Sequence, residues 1–194
     1  MFNSEWLKAR SSKTAALKVA VILLAASSLA SAAGPEWRTK LNDAMPLLGH
    51  RNWILVVDSA YPLQIAPGIE TIETNAGQLE VVRAVLGAIE RSIQVRPTIY
   101  MDAELPYVSD EDAPGASAYR YKIGAMLRDY SVEQLPHEKI ISNVDEAGKV
   151  FHVLVLKTNS TIPYTSVFIR LDCKYWSEDQ EKELRSKMGT AANQ

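Results

Sequence analysis

The pattern of hydrophobic and polar positions divides the chain after residue 34 into alternating strand-like and helix-like segments. An unbroken apolar run over residues 53–57 predicts a fully buried strand, and the alternating residues 70–74 predict a half-exposed one. An amphipathic helix over residues 78–93 follows from apolar residues that recur every three or four positions, namely Leu79, Val82, Val85, Leu86 and Ile89. These segments predict a domain that mixes helices with strands.

The remaining pattern completes this assignment. We expect further helices over residues 37–48, ending at Gly49 with Pro46 near the end, and over 116–130. Residues 109–114 form an acidic turn that is suited to cap the second of these helices, and the charged residues 178–187 form either a terminal helix or a frayed tail. Strands are predicted over 98–101, 150–156 and 166–173, with a hairpin turn at 145–148. The predicted fold class is therefore a single layered α/β domain with a mixed β-sheet flanked by helices, preceded by a signal peptide.

The first 32 residues have the composition of a secretory signal. Four basic residues precede an apolar core, and Ala30-Ser31-Ala32 supplies a cleavage site between small residues. The uncharged run over 19–33 is shorter than the roughly 20 residues of a membrane-spanning helix. We expect cleavage near residue 32, a domain over 33–194 in the periplasm or outside the cell, and no stable membrane insertion after cleavage. Retention of the signal as an anchor is the alternative.

Charge and cysteine content narrow the function further. The chain has 21 basic and 23 acidic residues, so it lacks the positive field that recruits nucleic acid. The single cysteine, Cys173, cannot form a disulfide within the chain. We expect no nucleic-acid partner and a free thiol in the last strand.

Candidate chemistry surrounds the first strand, with His50 before it and Asp58 directly after it. Ligands of open α/β sheets gather beyond the carboxyl ends of strands, where Asp58 is expected. The imidazole of His50 can accept and donate a proton near neutral pH. Eight residues of straight strand would separate the two by over ~20 Å. They can meet only if the chain bends back, or if each serves a different copy of the site.

Two motifs resemble the D-ribose pyranase and L-fucose mutarotase family. The first is Gly49-His50, the apolar strand, Asp58-Ser59 and Pro62, and the second is Pro163-Tyr164-Thr165-Ser166 before a hydrophobic strand. The order of elements also fits over about residues 36–176. The resemblance implies a free monosaccharide substrate such as ribose or fucose, no cofactor, no metal, and a homo-oligomeric ring in which a neighbouring subunit completes the sugar site.

The resemblance also implies roles for individual residues. His50 becomes the general acid or base, Asp58 orients it or holds a sugar hydroxyl, and Tyr164 donates a hydrogen bond at the ring oxygen. Ser166 and His137 become sugar-binding residues. Ser166 stands where the family has a longer Asn, and residues 159–162 form a longer, uncharged connection before Tyr164 than the family has.

Two hypotheses remain open. A mutarotase or pyranase-like isomerase predicts that His50 and Tyr164 converge on one polar cleft. A non-catalytic exported sugar-binding or assembly protein with the same fold predicts an open or apolar pocket, with His50 bonded to its own backbone. Each residue also has a plainer, structural explanation: a helix cap for His50, the closing of a turn for Asp58, and packing at the start of a strand for Tyr164.

Overall fold

The computed structural model describes residues 36–191, which form one six-stranded sheet with helices on both faces. The strands are β1 (Trp53–Val57), β2 (Ile69–Glu73), β3 (Val95–Asp102), β4 (Val132–Leu135), β5 (Val153–Lys157) and β6 (Val167–Cys173). The helices are α1 (Glu36–Ala44), α2 (Gln78–Arg91), α3 (Ala116–Met126), α4 (His137–Gly148) and α5 (Glu178–Ala191). The predicted signal peptide lies outside these residues. No helix within 36–191 is long and apolar enough to cross a membrane.

The strand order is β2-β5-β1-β6-β3-β4, and β6 alone runs against its neighbours. The predicted mixed sheet is therefore confirmed. Because β1 to β5 point the same way, their last residues meet at one end of the sheet, where β6 begins. We call this the carboxyl end of the sheet, and the opposite end, where β1 begins and β6 ends, its amino end.

Strand β1 is buried on both faces because helices cover both sides of the sheet. Alternate side chains point to opposite faces, so Ile54 and Val56 join the core beneath α1, α2 and α3. Leu55 and Val57 join the smaller core beneath α4, together with Ile140 and Val144 of that helix. Because both faces of β1 are buried, every residue over 53–57 is apolar.

The predicted hairpin turn at 145–148 is wrong, because these residues form the last turn of α4. Asp145 and Glu146 have turn-like composition, but Ile140 and Val144 are fully buried four residues apart and commit the segment to a helix. Gly148 is required by close packing: a Cβ there would lie 2.7 Å from Ile69 Cδ1.

Other predicted boundaries move by a few residues. Helix α1 ends at Ala44, before Pro46, and α3 ends at Met126. The acidic turn does cap α3, since Asp110 Oδ1 accepts hydrogen bonds from the backbone nitrogens of Gly115 at 3.1 Å and Ser117 at 3.0 Å. Strand β4 was not predicted, because its four residues alternate too briefly to show a period.

Candidate functional site

A cleft of about 560 Å³ opens at the carboxyl end of the sheet. Its walls come from the loop after β1, the start of α4 and the loop before β6. The polar and charged side chains that line it include Asp58, Gln64, His137, Glu138 and Tyr164. Three of the five predicted site residues therefore share one cleft, as expected for the carboxyl ends of parallel strands.

Asp58 follows β1 directly and faces two ways. Its Oδ1 accepts a hydrogen bond from the backbone nitrogen of Ala60 at 2.8 Å, which closes the turn. Its Oδ2 lies 3.5 Å from Ser166 Oγ, a hydroxyl that is itself buried. Asp58 thus closes a turn, the plainer explanation of this residue, and also contributes a carboxylate to the cleft. The contact brings a fourth predicted residue, Ser166, to the same place.

His137 is the first residue of α4, and four neighbours hold it. Its backbone nitrogen donates to both carboxylate oxygens of Glu104, at 3.0 and 3.1 Å. Its ring Nδ1 lies 3.0 Å from Asp102 Oδ1. The rings of Tyr164 and Phe168 meet the imidazole edge-on, with centroids 5.7 and 6.5 Å away. The imidazole is consequently fixed in orientation while it remains on the cleft wall.

Asp102 contacts His137 and was not among the site residues predicted from the sequence. It ends β3, its side chain is fully buried, and its Oδ2 has no hydrogen-bond partner among the residues described. Burial raises the pKa of this carboxyl, and the hydrogen bond with His137 opposes that shift. The available signal was its position: Asp102 follows an apolar stretch just as Asp58 follows β1, and both strands end at the same end of the sheet.

Tyr164 adopts a left-handed backbone conformation with φ of 58°. For a residue with a Cβ this conformation costs free energy, so the surrounding loop must enforce it. Pro163 precedes it, and the carbonyl of Thr165 after it accepts hydrogen bonds from Tyr119 Oη at 2.7 Å and Gln78 Nε2 at 2.8 Å. These contacts hold the Tyr164 ring at the cleft, where it is 37% exposed.

A buried amide connects the two sides of the cleft. Gln78 Nε2 donates to the carbonyls of Val56 and Thr165, both at 2.8 Å, and its Oε1 accepts from Thr158 Oγ1 at 2.6 Å. Val56 lies two residues before Asp58, and Thr165 lies between Tyr164 and Ser166. One side chain therefore fixes the backbone on both sides of the cleft.

His50 lies at the amino end of the sheet and does not line this cleft. Its Nδ1 is 3.3 Å from Asp172 Oδ1. Because β1 lies between them, His50 and Asp58 are at opposite ends of the sheet, and within one chain His50 and Tyr164 do not converge on one cleft as expected. Among the described residues the imidazole of His50 is not bonded to its own backbone either, so that part of the competing expectation fails. The open or apolar pocket that the same hypothesis predicts is not contradicted, since Ile141, Ile162 and Pro163 also line the cleft. The catalytic role of His50 stays a prediction.

The surroundings of His50 carry charges of both signs. Cavities of about 400 and 640 Å³ flank it, and both are lined by Arg170 and Asp172. Arg51 and Glu146 also line the first cavity, and the second is also lined by Arg96, Trp176, Glu178 and Glu181. Burial would raise the pKa of Asp172, but hydrogen bonds from Thr98 and Arg170 hold it below its usual range.

Metal chemistry was not expected from the sequence. Within the described part of the chain, no three His, Cys, Asp or Glu side chains are grouped so that they could hold a metal ion. Cys173 is a free thiol, as expected, and is partly buried.

Comparison with known proteins is informative at the level of three-dimensional structure. No family model matches the chain, and no curated protein matches its sequence. The structure of Bacillus subtilis RbsD complexed with D-ribose is similar with a TM-score of 0.50 and 15% identity, covering 69% of this chain and 91% of that one.

Two further solved structures resemble the chain less well. FucU from Bifidobacterium longum has a TM-score of 0.46 and 12% identity, covering 69% of this chain and 94% of that one. The fucose mutarotase from Streptococcus pneumoniae in complex with L-fucose has a TM-score of 0.44 and 17% identity, with coverages of 69% and 91%. The similarity to RbsD confirms, at the level of the fold, the resemblance that the two sequence motifs predicted.

Proposed function

We propose that the chain is a monosaccharide mutarotase or pyranase-like isomerase that interconverts the anomeric or ring forms of a free sugar. The observation that carries this proposal is the cleft at the carboxyl end of the sheet, where an imidazole, a carboxylate and a phenol line one wall each. These groups stand on the fold of a protein solved with D-ribose. The substrate is therefore a reducing monosaccharide such as ribose or fucose.

The reaction needs one base and one acid. The base removes the proton of the anomeric hydroxyl, and a carbonyl forms at the anomeric carbon as its bond to the ring oxygen breaks. The ring oxygen keeps that electron pair and takes a proton from the acid. Closure by a hydroxyl on the opposite face of the carbonyl reverses these steps. One proton is removed and one is returned, so general acid and base groups suffice.

Within one chain, His137 is placed better for this work than His50. Its ring is held by Asp102, Tyr164 and Phe168 and lies on the cleft wall. We assign proton transfer at the anomeric hydroxyl to His137 and hydrogen-bond donation at the ring oxygen to Tyr164. Asp58 accepts hydrogen bonds from sugar hydroxyls, with its Oδ2 supported by Ser166.

His50 reaches a cleft only if a second copy of the chain supplies it, which is consistent with the homo-oligomer expected from the family resemblance. A head-to-tail contact, which brings the amino end of one copy to the cleft of the next, generates a closed ring when the rotation between copies allows it. Export to the periplasm or beyond remains part of the proposal, on the composition of residues 1–32.

Saturation-transfer NMR on the purified protein tests the proposal. Anomeric exchange rates of ribose, fucose and several hexoses are compared for the wild type, His137→Gln and His152→Gln. His152 is the matched control because it lies outside the cleft, 3.6 Å from Glu70. We expect faster exchange of at least one sugar with wild type and His152→Gln, and loss of that acceleration with His137→Gln. Sugar binding without exchange would favour the non-catalytic alternative, and neither binding nor exchange would overturn both.

A further inference from the structure

The carboxylate of Asp102 is satisfied on only one side. Its side chain is fully buried at the end of β3, and Oδ2 makes no hydrogen bond among the residues that the structure describes. A buried carboxylate that serves only a structural purpose is normally bonded through both oxygens, because an unpartnered charge in the interior is costly. Asp102 carries this free-energy cost, and its side-chain hydrogen bond in the described structure is with His137.

This contact and the charge of Asp102 together decide where the imidazole proton sits. When Asp102 is ionised it only accepts hydrogen bonds, so Nδ1, 3.0 Å from Asp102 Oδ1, then carries the proton. In the neutral ring Nε2 is then an acceptor. Nε2 lies on the opposite side of the ring from Nδ1, and the ring forms part of the cleft wall.

The other acidic groups nearby do not compete for the ring. Glu104 accepts from the backbone nitrogen of His137 and not from its imidazole. Asp58 accepts from the backbone nitrogen of Ala60 and from Ser166 Oγ, and among the described residues it makes no hydrogen bond to the imidazole. Glu138 also lines the cleft, and among the residues that the structure describes it makes no hydrogen bond to His137.

We propose that Asp102 is a positioning residue that holds the proton of His137 on Nδ1 and presents Nε2 to the cleft as the proton acceptor. The use of Nε2 in catalysis rests on the proposed function. The tautomer itself does not, since it follows from the Asp102–His137 contact and the charge of Asp102. An experiment can therefore contradict one of the two proposals and leave the other standing.

The chain contains only three histidines, so ¹⁵N-histidine labelling gives a spectrum with three rings. Long-range ¹H–¹⁵N NMR at a pH where the rings are neutral reports which nitrogen carries the proton. We expect the wild-type His137 ring to be protonated at Nδ1, opposite to the tautomer that free histidine prefers. His137→Gln identifies its signals. A wild-type ring protonated at Nε2 would overturn the proposal without any need for an Asp102 variant.

Asp102→Leu tests the cause, because leucine matches the shape of aspartate and has no acceptor. We expect the His137 ring to change to the Nε2-protonated form, while the signals of His50 and His152 stay in place and report an intact fold. Glu104→Gln is the matched control, since it removes a neighbouring carboxylate that does not touch the ring, and it should leave the tautomer unchanged. Asp102→Ala, which also lacks an acceptor, serves if Asp102→Leu does not fold. Persistence of the Nδ1 tautomer in a folded Asp102→Leu variant would also overturn the proposal.

Kinetics separate positioning from mere structural support. For a sugar whose exchange the wild type accelerates, we expect Asp102→Leu to lower kcat at least about tenfold and to change KM less than about twofold, since the contact acts on proton transfer and not on sugar binding. If Asp102→Leu lowers both kcat and the free energy of unfolding while His137 keeps its tautomer, the role of Asp102 is structural. If the wild type accelerates no exchange but keeps the Nδ1 tautomer, the proposed function fails and the positioning role stands.

Discussion

His50 Nδ1 lies 3.3 Å from Asp172 Oδ1 at the amino end of the sheet, whereas the cleft that contains His137 lies at the carboxyl end. One chain therefore cannot use both histidines on one sugar. A head-to-tail pair of chains can, because it brings the amino end of one copy to the cleft of the next.

This arrangement predicts complementation between two inactive variants. His50→Ala and His137→Gln should each lose sugar exchange, but a mixed assembly should regain about a quarter of the wild-type rate, because in random assembly that fraction of clefts pairs an intact His137 with an intact His50 from the neighbour. Co-expression of the two variants, followed by saturation-transfer NMR, measures the recovery. A mixture no more active than its components would show that His50 takes no part in the site of another copy.

Asp172 predicts an acid-dependent term in stability. Its pKa is held below its usual range, so its stabilising contribution is present above the unfolded pKa, near 4, and is lost as the pH falls through the folded pKa. Asp172→Asn should lower the free energy of unfolding by about 1 kcal/mol at pH 7, and this difference should shrink towards pH 2. Urea unfolding at several pH values measures it.

The control for this experiment is Asp43→Asn, which changes an exposed carboxyl on α1. Its effect should stay small at every pH, as expected for a surface substitution. A constant difference between wild type and Asp172→Asn across the pH range would show that the charge of Asp172 does not stabilise the fold.

Periodicity made much of the fold predictable. Strand β1 and helix α2 were predicted correctly because the apolar residues that define their sequence patterns, such as Val56 and Val85, are the residues that the fold buries. The end of α4 was misread because Asp145 and Glu146 favour turns locally, while burial of Ile140 and Val144 favours a helix and is visible only once the sheet is assembled. Tertiary packing decided that segment.

The site was predictable in part for a related reason. Asp58, His137, Tyr164 and Ser166 came from motifs and met because strands with one direction end together. Asp102 carries no motif, since its importance arises from burial and from the contact with His137. The spacing of eight residues did predict that His50 and Asp58 lie far apart within one chain, and the site role of His50 stays a prediction.

Gln78 should matter for both stability and activity. Gln78→Met removes its donations to the carbonyls of Val56 and Thr165 and its acceptance from Thr158, and leaves buried polar groups with fewer partners. We expect a loss of about 2 kcal/mol in the free energy of unfolding, together with slower sugar exchange as Asp58 and Tyr164 lose their common support.

The same substitution at Gln134, an exposed position in β4, is the control and should change stability by less than about 0.5 kcal/mol. Urea titration and exchange kinetics on both variants check the prediction. Equal effects of Gln78→Met and Gln134→Met would remove the buried amide from any account of the cleft.

Tyr164 should show opposite effects on stability and activity. Its left-handed backbone, with φ of 58°, disfavours any residue with a Cβ, and only glycine adopts it freely. Tyr164→Gly relieves this cost, while the half-exposed ring loses modest packing against His137. We expect the free energy of unfolding to rise by up to about 1 kcal/mol, and sugar exchange to be lost with the phenol. Tyr164→Phe should keep wild-type stability and lose exchange.

The control for the backbone effect is Asn75→Gly. It relieves a similar conformation, with φ of 51°, outside the cleft, and should leave exchange unchanged. Thermal unfolding and exchange rates on the three variants separate the contributions of backbone and hydroxyl, and full activity in Tyr164→Phe would remove the phenol from the proposed chemistry.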